Sequence, residues 1–446
     1  MPGRNETALL TDPSQPQCAT EQGVDYDGHD LQPVHSIPAP DAATCCALCH
    51  NRTGCVAWSL QQFKGCKNCC YLKSSAAGRR RFKGAVSGTI GPLPPAPPPP
   101  PPPRPSDGSC KDEADCSLGG LCVQSKCRCD PAFTGPNCAA LALAPASRKP
   151  LWNAPPRTAS WGGNAVYDRS DRKWHLFFAE FLNHCGLGSW GTNSVVSHAI
   201  ADAPAGPYTK QGVVQPAFHH NPSVAYDNST GTFLLFSIGN GSATPGNCTQ
   251  HAAPSVGAAD PAAAGIITLS HASSASGPWV TLPAPALSGR PGKWDAFVTN
   301  PSVHVFANGT VLMAYRGGWS PWHVGLAVAP SWRGPYRRVS DEPAFAVQNE
   351  DPGLFVDQRG NFHMLTHYFG PHGPGGHAFS RDGLSWTFAG QAYDLWLHYD
   401  DGKSTRMARR ERPQVLSLGG KPSLLFSGVD PHSGMSWTQV QRIQTE

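Results

Sequence analysis

Five times between residue 160 and the C-terminus the chain repeats one short theme: a polar residue, usually followed by Pro, then an apolar run, a turn and a second apolar run. The copies open at Asn164, Asn221, Asn300, Asp351 and Arg412, about 50 to 80 residues apart, which is the spacing of a propeller or a repeat array. A second theme follows each copy, a shorter apolar run with a turn such as Ala-Gly-Pro-Tyr at 205–208 or Ser-Arg-Asp-Gly at 380–383. Period-2 alternation with Asp, Asn and Gly at the turns suits half-buried strands joined by hairpins. Each unit is therefore expected as four short strands, and the whole as five blades around a funnel. The first strand of each blade would line the channel and set those five opening residues around one mouth.

The rest of the composition agrees with a mainly β chain of loop-rich modules. Of 446 residues, 45 are Pro and 47 Gly, and only 15% are charged. A net charge of +4 without a basic stripe gives no footprint for nucleic acid, and no apolar stretch is long enough to predict a transmembrane segment. Fourteen of the sixteen Cys lie before residue 140, a density that implies paired thiols in an oxidising, extracellular or secretory compartment. Six Asn-x-Ser/Thr sequons, at Asn5, Asn51, Asn228, Asn240, Asn247 and Asn308, point the same way. The first residues carry no apolar signal-peptide core.

Five segments follow: an N-terminal tail at 1–17, a cysteine-rich module at 18–90, a Pro-rich linker at 91–107, a second cysteine-rich module at 108–140 and the repeats at 141–446. The linker, with its Pro run at 97–103, is expected as an extended polyproline II spacer. Residues 18–90 combine an Asp-Gly-His-Asp-Leu turn at 27–31, a Cys-bearing helix from Cys45 and a Cys-Tyr-Leu-Lys strand at 70–73, and in this resemble a PAN or apple domain. The resemblance implies Cys45–Cys70 and Cys49–Cys55 bridges and leaves Cys18, Cys46, Cys66 and Cys69 open. Six Cys from Cys110 to Cys138, ending in Cys127-Arg-Cys129 and a loop with Gly135, resemble an EGF-like domain. That implies Cys110–Cys122, Cys116–Cys127 and Cys129–Cys138. Ser-Asp-Gly-Ser at 106–109 lacks the acidic cluster of calcium-binding members, so no calcium is expected there. Either module is a candidate adaptor toward an extracellular protein or glycan partner.

The repeats themselves, through their Asn/Asp-Pro openings, Glu350-Asp351-Pro352 and the Gly-Pro-aromatic turns, resemble the five-bladed superfamily of arabinanases, levansucrases and invertases, most nearly glycoside hydrolase family 43. Glycosidic cleavage takes one carboxylic acid to protonate the leaving oxygen and one carboxylate to activate water or attack the anomeric carbon. The resemblance implies an Asp opening blade one, a second Asp tuning the acid, and a Glu as the acid. Here Asp351, Glu411 and Glu350 are the catalytic candidates. Arg410 and Arg412 flank Glu411 and are expected to lower its pKa, which suits a base better than an acid. Blade one offers Asn164, which cannot ionise, where the base is implied; Glu180, Asp295, Glu350 and His220 are the possible replacements.

Asn164, His184, His220, Asn221, Asn300, Arg412 and Trp161 are the candidate carbohydrate-binding residues, with Trp161 either a sugar platform or blade packing. Cys185 and Cys248, in loops of adjacent blades, are expected to bridge. His363 and His367 share a strand face but have no third ligand signalled nearby, so neither metal nor cofactor is expected. The sequence therefore leads to an extracellular carbohydrate-active protein, either a glycoside hydrolase acting on a poly- or oligosaccharide or a noncatalytic glycan-binding protein on the same scaffold. Two carboxylates facing each other across the mouth would separate the two readings.

Overall fold

The computed structural model describes residues 18–26, 30–31, 36–63, 66–74, 76, 79–90, 107–248, 265–318, 322–370, 373–431 and 435–445. The tail, nearly all of the linker and the side chain of Cys66 lie outside the described residues. Two compact units result, divided at residues 102/103.

The first unit is a five-stranded antiparallel sheet carrying one helix. Its strands run in the order Cys18–Tyr26, Arg79–Ile90, Ala57–Phe63, Cys66–Lys73 and Ile37–Pro38. The helix, Ala42–His50, starts where the Asp41 side chain accepts the Thr44 N–H at 2.8 Å, which satisfies one of the donors a helix start leaves unpaired. Its buried face is made of Cys45, Cys46 and Cys49. Those three bridge to Cys70, Cys18 and Cys55 respectively, and the staples surround a core centred on the fully buried Trp58. So small a domain buries too little apolar surface to hold itself by packing alone.

The second unit holds the repeats, and they form a five-bladed propeller. Blade one is Ser160–Asp168, Lys173–Phe181, Ser194–Ala201 and Thr209–Gln215. Blade two begins at His220–Asp227, followed by Thr232–Ile238 and Ile266–Ala272, whose outer edge pairs two short strands, Val280–Thr281 and Leu287–Ser288. Blade three is Val298–Val305, Val311–Gly317, His323–Ala329 and Arg337–Arg338; blade four is Asn349–Val356, Phe362–Tyr368, Gly375–Ser380 and Thr387–Tyr393. The inner strands neighbour one another around the ring, blade five against blade one included. Most inner hairpins turn on the same device. Asp168, Asp227 and Asp357 each accept a backbone N–H two residues on, from Ser170, Ser229 and Arg359.

Blade five departs from the expected four strands. Only Arg409–Leu418, Lys421–Asp430 and Trp437–Arg442 come from its own repeat. The place of the fourth is taken at one end by chain from before blade one: Ala144 N–H donates to Arg442 O at 2.9 Å and Gln444 N–H to Ala142 O at 2.8 Å. The ring is thereby closed by residues about 300 positions apart in sequence.

Residues 107–141 form two small hairpins held by Cys110–Cys122, Cys116–Cys127 and Cys129–Cys138. They share one apolar core with blades four and five, in which Phe133 packs on Phe355 and His363. The Arg359 guanidinium donates to the carbonyls of Leu118 and Gly120 and pairs with Asp130 at 2.7 Å. No free cysteine occurs among the described residues.

Candidate active site

Every inner strand carries one extra residue near its start. The ladder slips between Trp161 and Asn164, His220 and Ser223, Thr299 and Ser302, Glu350 and Gly353, and Glu411 and Gln414. The second residue of each bulge is left-handed: Gly162 at φ 53°, Asn221 at 48°, Asn300 at 52°, Asp351 at 56° and Arg412 at 58°. Asn and Asp tolerate this backbone better than other residues with a Cβ, and a following Pro then sets the strand direction. In blade one Gly162-Gly163 meets the same demand without Asn or Pro. The equivalent of Asp351 in blade one is therefore Gly162, and Asn164, expected at the mouth, stands two residues further in. Its amide spends both ends on blade two, donating to Val224 O at 2.9 Å and accepting Val224 N–H at 2.8 Å.

The left-handed residues close the channel rather than line an open funnel. Asn221 Nδ2 donates to Asn300 Oδ1 at 2.7 Å, Asn300 Nδ2 donates to Asp351 Oδ1, and Asp351 Oδ2 accepts the Arg412 N–H at 3.1 Å. Arg412 crosses the middle to donate to Asn221 O at 2.9 Å and Pro301 O at 3.0 Å. Its stem lies over Gly162, where a Cβ would stand 2.6 Å from Arg412 Cγ. All four are buried. Burial, reinforced by Glu350, pushes the Asp351 carboxyl up to about 6, and burial pulls Arg412 down to about 10.

Directly before this ring stands a second one: Trp161, His220, Thr299, Glu350 and Glu411. Two carboxyl groups from adjacent blades meet there around His367, the cross-strand partner of Glu350. His367 Nδ1 lies 3.2 Å from Glu350 Oε1 and 3.9 Å from Glu411 Oε1. Arg316, which occupies the matching position in blade three opposite Thr299, is 3.4 Å from Glu350, and Arg409 is 3.6 Å from Glu411. Burial alone would raise both acids. The His367 hydrogen bond and Arg316 outweigh it at Glu350 and hold that carboxyl below its usual range. At Glu411 burial wins over His367 and Arg409 and lifts it to about 7.

This corrects the expectation that Arg410 and Arg412 depress Glu411. Arg410 turns away to the carbonyls of Asp394 and Trp396 and to Gln441 Oε1, and Arg412 plugs the channel. The four groups Glu350, Asp351, His367 and Glu411 each present a ligand atom within 4.8 Å of the others. A cation there would compete with Arg316, Arg409 and Arg412, and Asp351 already accepts two N–H groups.

Other candidates lie elsewhere. Trp161 is 2% exposed and packs over Gly428, so it is no open platform. His220 is buried, with Nδ1 on Ser194 Oγ at 2.7 Å and its ring against Trp190, and burial drops it to about 3. His184 is exposed, its Nδ1 3.2 Å from Arg157 O. Glu180 pairs with Lys210 at 2.6 Å, and Asp295 with Arg290 at 2.8 Å, Arg338 and the Tyr315 hydroxyl; both are structural anions. Cys185 and Cys248 bridge. Sequence reasoning missed Arg316 as a site residue, and weighed His367 only as a metal ligand and set it aside. The available signal was that each ends the second apolar run of its repeat, one strand over from the bulge.

In sequence, residues 24–73 match the PAN domain family. No curated protein sequence matches the chain. Among solved structures, the chain is similar to a family 117 glycoside hydrolase of the marine bacterium Zobellia galactanivorans, at 13% identity over 71% of this chain and 91% of that one, with a TM-score of 0.48. It is also similar to the exo-β-1,3-galactanase of Phanerochaete chrysosporium, at 11% identity over 64% and 60% with a TM-score of 0.45, and to a thermostable family-43 glycoside hydrolase, at 12% over 68% and 93% with a TM-score of 0.46. The protein is thus mainly β, a five-bladed propeller preceded by a disulfide-rich PAN module.

Proposed function

We propose that the propeller is an extracellular glycoside hydrolase in which Glu411 is the general acid, Glu350 the ionised partner carboxylate, and Asp351 a buried charge that tunes both. The observation that carries this reading is the divergence of two neighbouring carboxyl groups. Glu350 is held ionised by His367 and Arg316, while Glu411 is kept protonated up to about pH 7. Environments that push paired acids apart assign the acid and base roles.

A noncatalytic glycan-binding function is the second reading. Gly162 favours it, because blade one has a glycine at the left-handed position that Asp351 fills in blade four. Residues 108–140 are read as an EGF-like module from their one–three, two–four, five–six bridges. A secreted glycoprotein agrees with the bridged cysteines and with the exposure of the sequon residues Asn51, Asn228, Asn240, Asn247 and Asn308. The PAN and EGF-like modules are then adaptors to an extracellular protein or glycan.

Turnover of arabinan, xylan, fructan and galactan oligosaccharides by Glu411→Gln, Glu350→Gln and Asp351→Asn tests the proposal. Loss of the acid or of its partner should cost on the order of 100-fold or more in kcat. Because only protonated Glu411 can donate, kcat should fall as pH rises through about 7, and that limb should vanish in Glu411→Gln. Full activity in either Glu variant rejects these roles. Binding without turnover by the wild type on every substrate establishes the second reading.

A further inference from the structure

A cavity of about 840 Å3 in the propeller unit is not at the carboxyl pair. It lies between blade five and the start of blade one, under the chain that runs from Pro145 to Thr158. Its origin is the incomplete fourth strand of blade five. The N-terminal segment pairs with Arg442 and Gln444 and then leaves, with Ala146 N–H donating to His398 O at 2.7 Å and Ala146 O accepting the Asp400 N–H at 3.0 Å. Beyond that point, among the described residues, no strand is paired in a ladder to the outer edge of Trp437–Arg442.

A gap of this volume is far larger than a packing defect, since protein interiors leave few voids larger than a water molecule, and it falls within the ~300–1,000 Å3 range of ligand sites. It is not waiting for a strand. Thr438 N–H already donates to Ser160 Oγ at 3.0 Å, and Val440 O already accepts Gln439 Nε2 at 2.9 Å, so side chains cap the edge that an added strand would pair with. An occupant must instead be recognised by side chains. Those on offer are the aromatic ring of Trp437 and the hydroxyls of Thr405 and Ser147, with Lys149, Asp400 and Arg442 exposed along the lining. Arg148, also in the lining, is tied to Asp401 at 2.8 Å and covers the Tyr399 ring. A flat apolar face beside hydroxyl groups and charged rim groups matches the C–H faces and hydroxyl rims of sugar rings.

We propose that this cavity is a second carbohydrate-binding site, for an oligosaccharide, separate from the carboxyl cluster. It goes beyond the hydrolase reading and stands whether or not Glu411 is an acid. Titration calorimetry of the full chain with β-1,3-galactotriose, xylotriose and arabinotriose tests it. Two variants address the cavity: Trp437→Ala removes an aromatic face, and Ala154→Trp fills the space from an exposed lining position without deleting a structural contact.

The expected result is binding of at least one of the three, weakened 10-fold or more in Ala154→Trp and in a folded Trp437→Ala. Binding lost in Glu411→Gln but kept in Ala154→Trp would place the only sugar site at the carboxyl pair and overturn the proposal. So would the absence of binding to all three by the wild type at millimolar concentration, or selection of an extended peptide by the wild type and not by Ala154→Trp. Failure of turnover with cavity binding intact would count against the hydrolase reading alone.

Discussion

At the scale of single residues, the mouth of the propeller is decided by five left-handed positions. Four are filled by residues with a Cβ, which the surrounding ring of hydrogen bonds holds in place, and the fifth is Gly162. A side chain at Gly162 has no room, because Arg412 occupies the space it would enter. Gly162→Ala should therefore destabilise the propeller by about 1–3 kcal/mol, from the left-handed backbone and the displaced guanidinium together. Thermal melting measures this, and an unchanged midpoint would mean that Arg412 is free to move aside. A polar residue followed by Pro, Asn or Asp in three copies and Arg412 in the fourth, made four of these positions readable, since a Pro sets the strand direction after a left-handed residue. Blade one escaped because two glycines satisfy the same dihedral angles without the same letters, which is why Asn164 looked like the opening residue. The pKa of Glu411 was misread for a related reason: its chain neighbours Arg410 and Arg412 point away, and its actual neighbour is His367, 44 positions earlier in sequence.

At the scale of elements, blades one and four carry the same buried pair. His175 Nδ1 and His198 Nε2 lie 2.8 Å apart, and His363 Nδ1 and His377 Nε2 lie 2.9 Å apart, each pair stacked between the second and third strands. An Asp closes each chain, Asp171 on His175 at 3.0 Å and Asp357 on His363 at 3.5 Å. Burial, aided by its neighbour's charge, brings His198 down to about 4, and burial likewise lowers His363. A histidine depressed in the folded state takes up its proton more readily when unfolded. Its contribution is complete above the unfolded value near 6.5 and is lost as pH falls from there toward 4, at about 1.4 kcal/mol per unit of difference. The melting midpoint should drop over that window, and His198→Gln should flatten part of the slope. A midpoint constant between pH 6.5 and 4 would refute the assignment. Even spacing placed His363 and His367 on one strand face, but only pairing with the third strand tells them apart. His363 is bound into a structural stack, whereas His367 faces two carboxyl groups.

For the molecule as a whole, residues 107–141 and blades four and five are one cooperative body, because Phe133 and the Arg359 guanidinium tie the stapled hairpins to the sheet. Arg359→Ala should cost about 2 kcal/mol or more by leaving the carbonyls of Leu118 and Gly120 without their charged donor. Hydrogen exchange is the measure: amides of Gly120–Val123 and of Phe362–Tyr368 should lose protection together, and independent exchange of the two would show that the module is only tethered. The chain alone determined the β class, the five repeats, their turns and the stapling of the cysteine-rich segments, because dihedral preference, period-2 burial and cysteine density are written locally. Ring closure by Ala142 and Ala144, the plugged channel, the gap beside Trp437 and the roles of Glu350 and Glu411 were decided only in three dimensions. Each depends on which atoms from distant repeats come within a few ångströms of one another, and electrostatics and hydrogen bonding act through that distance rather than through position along the sequence.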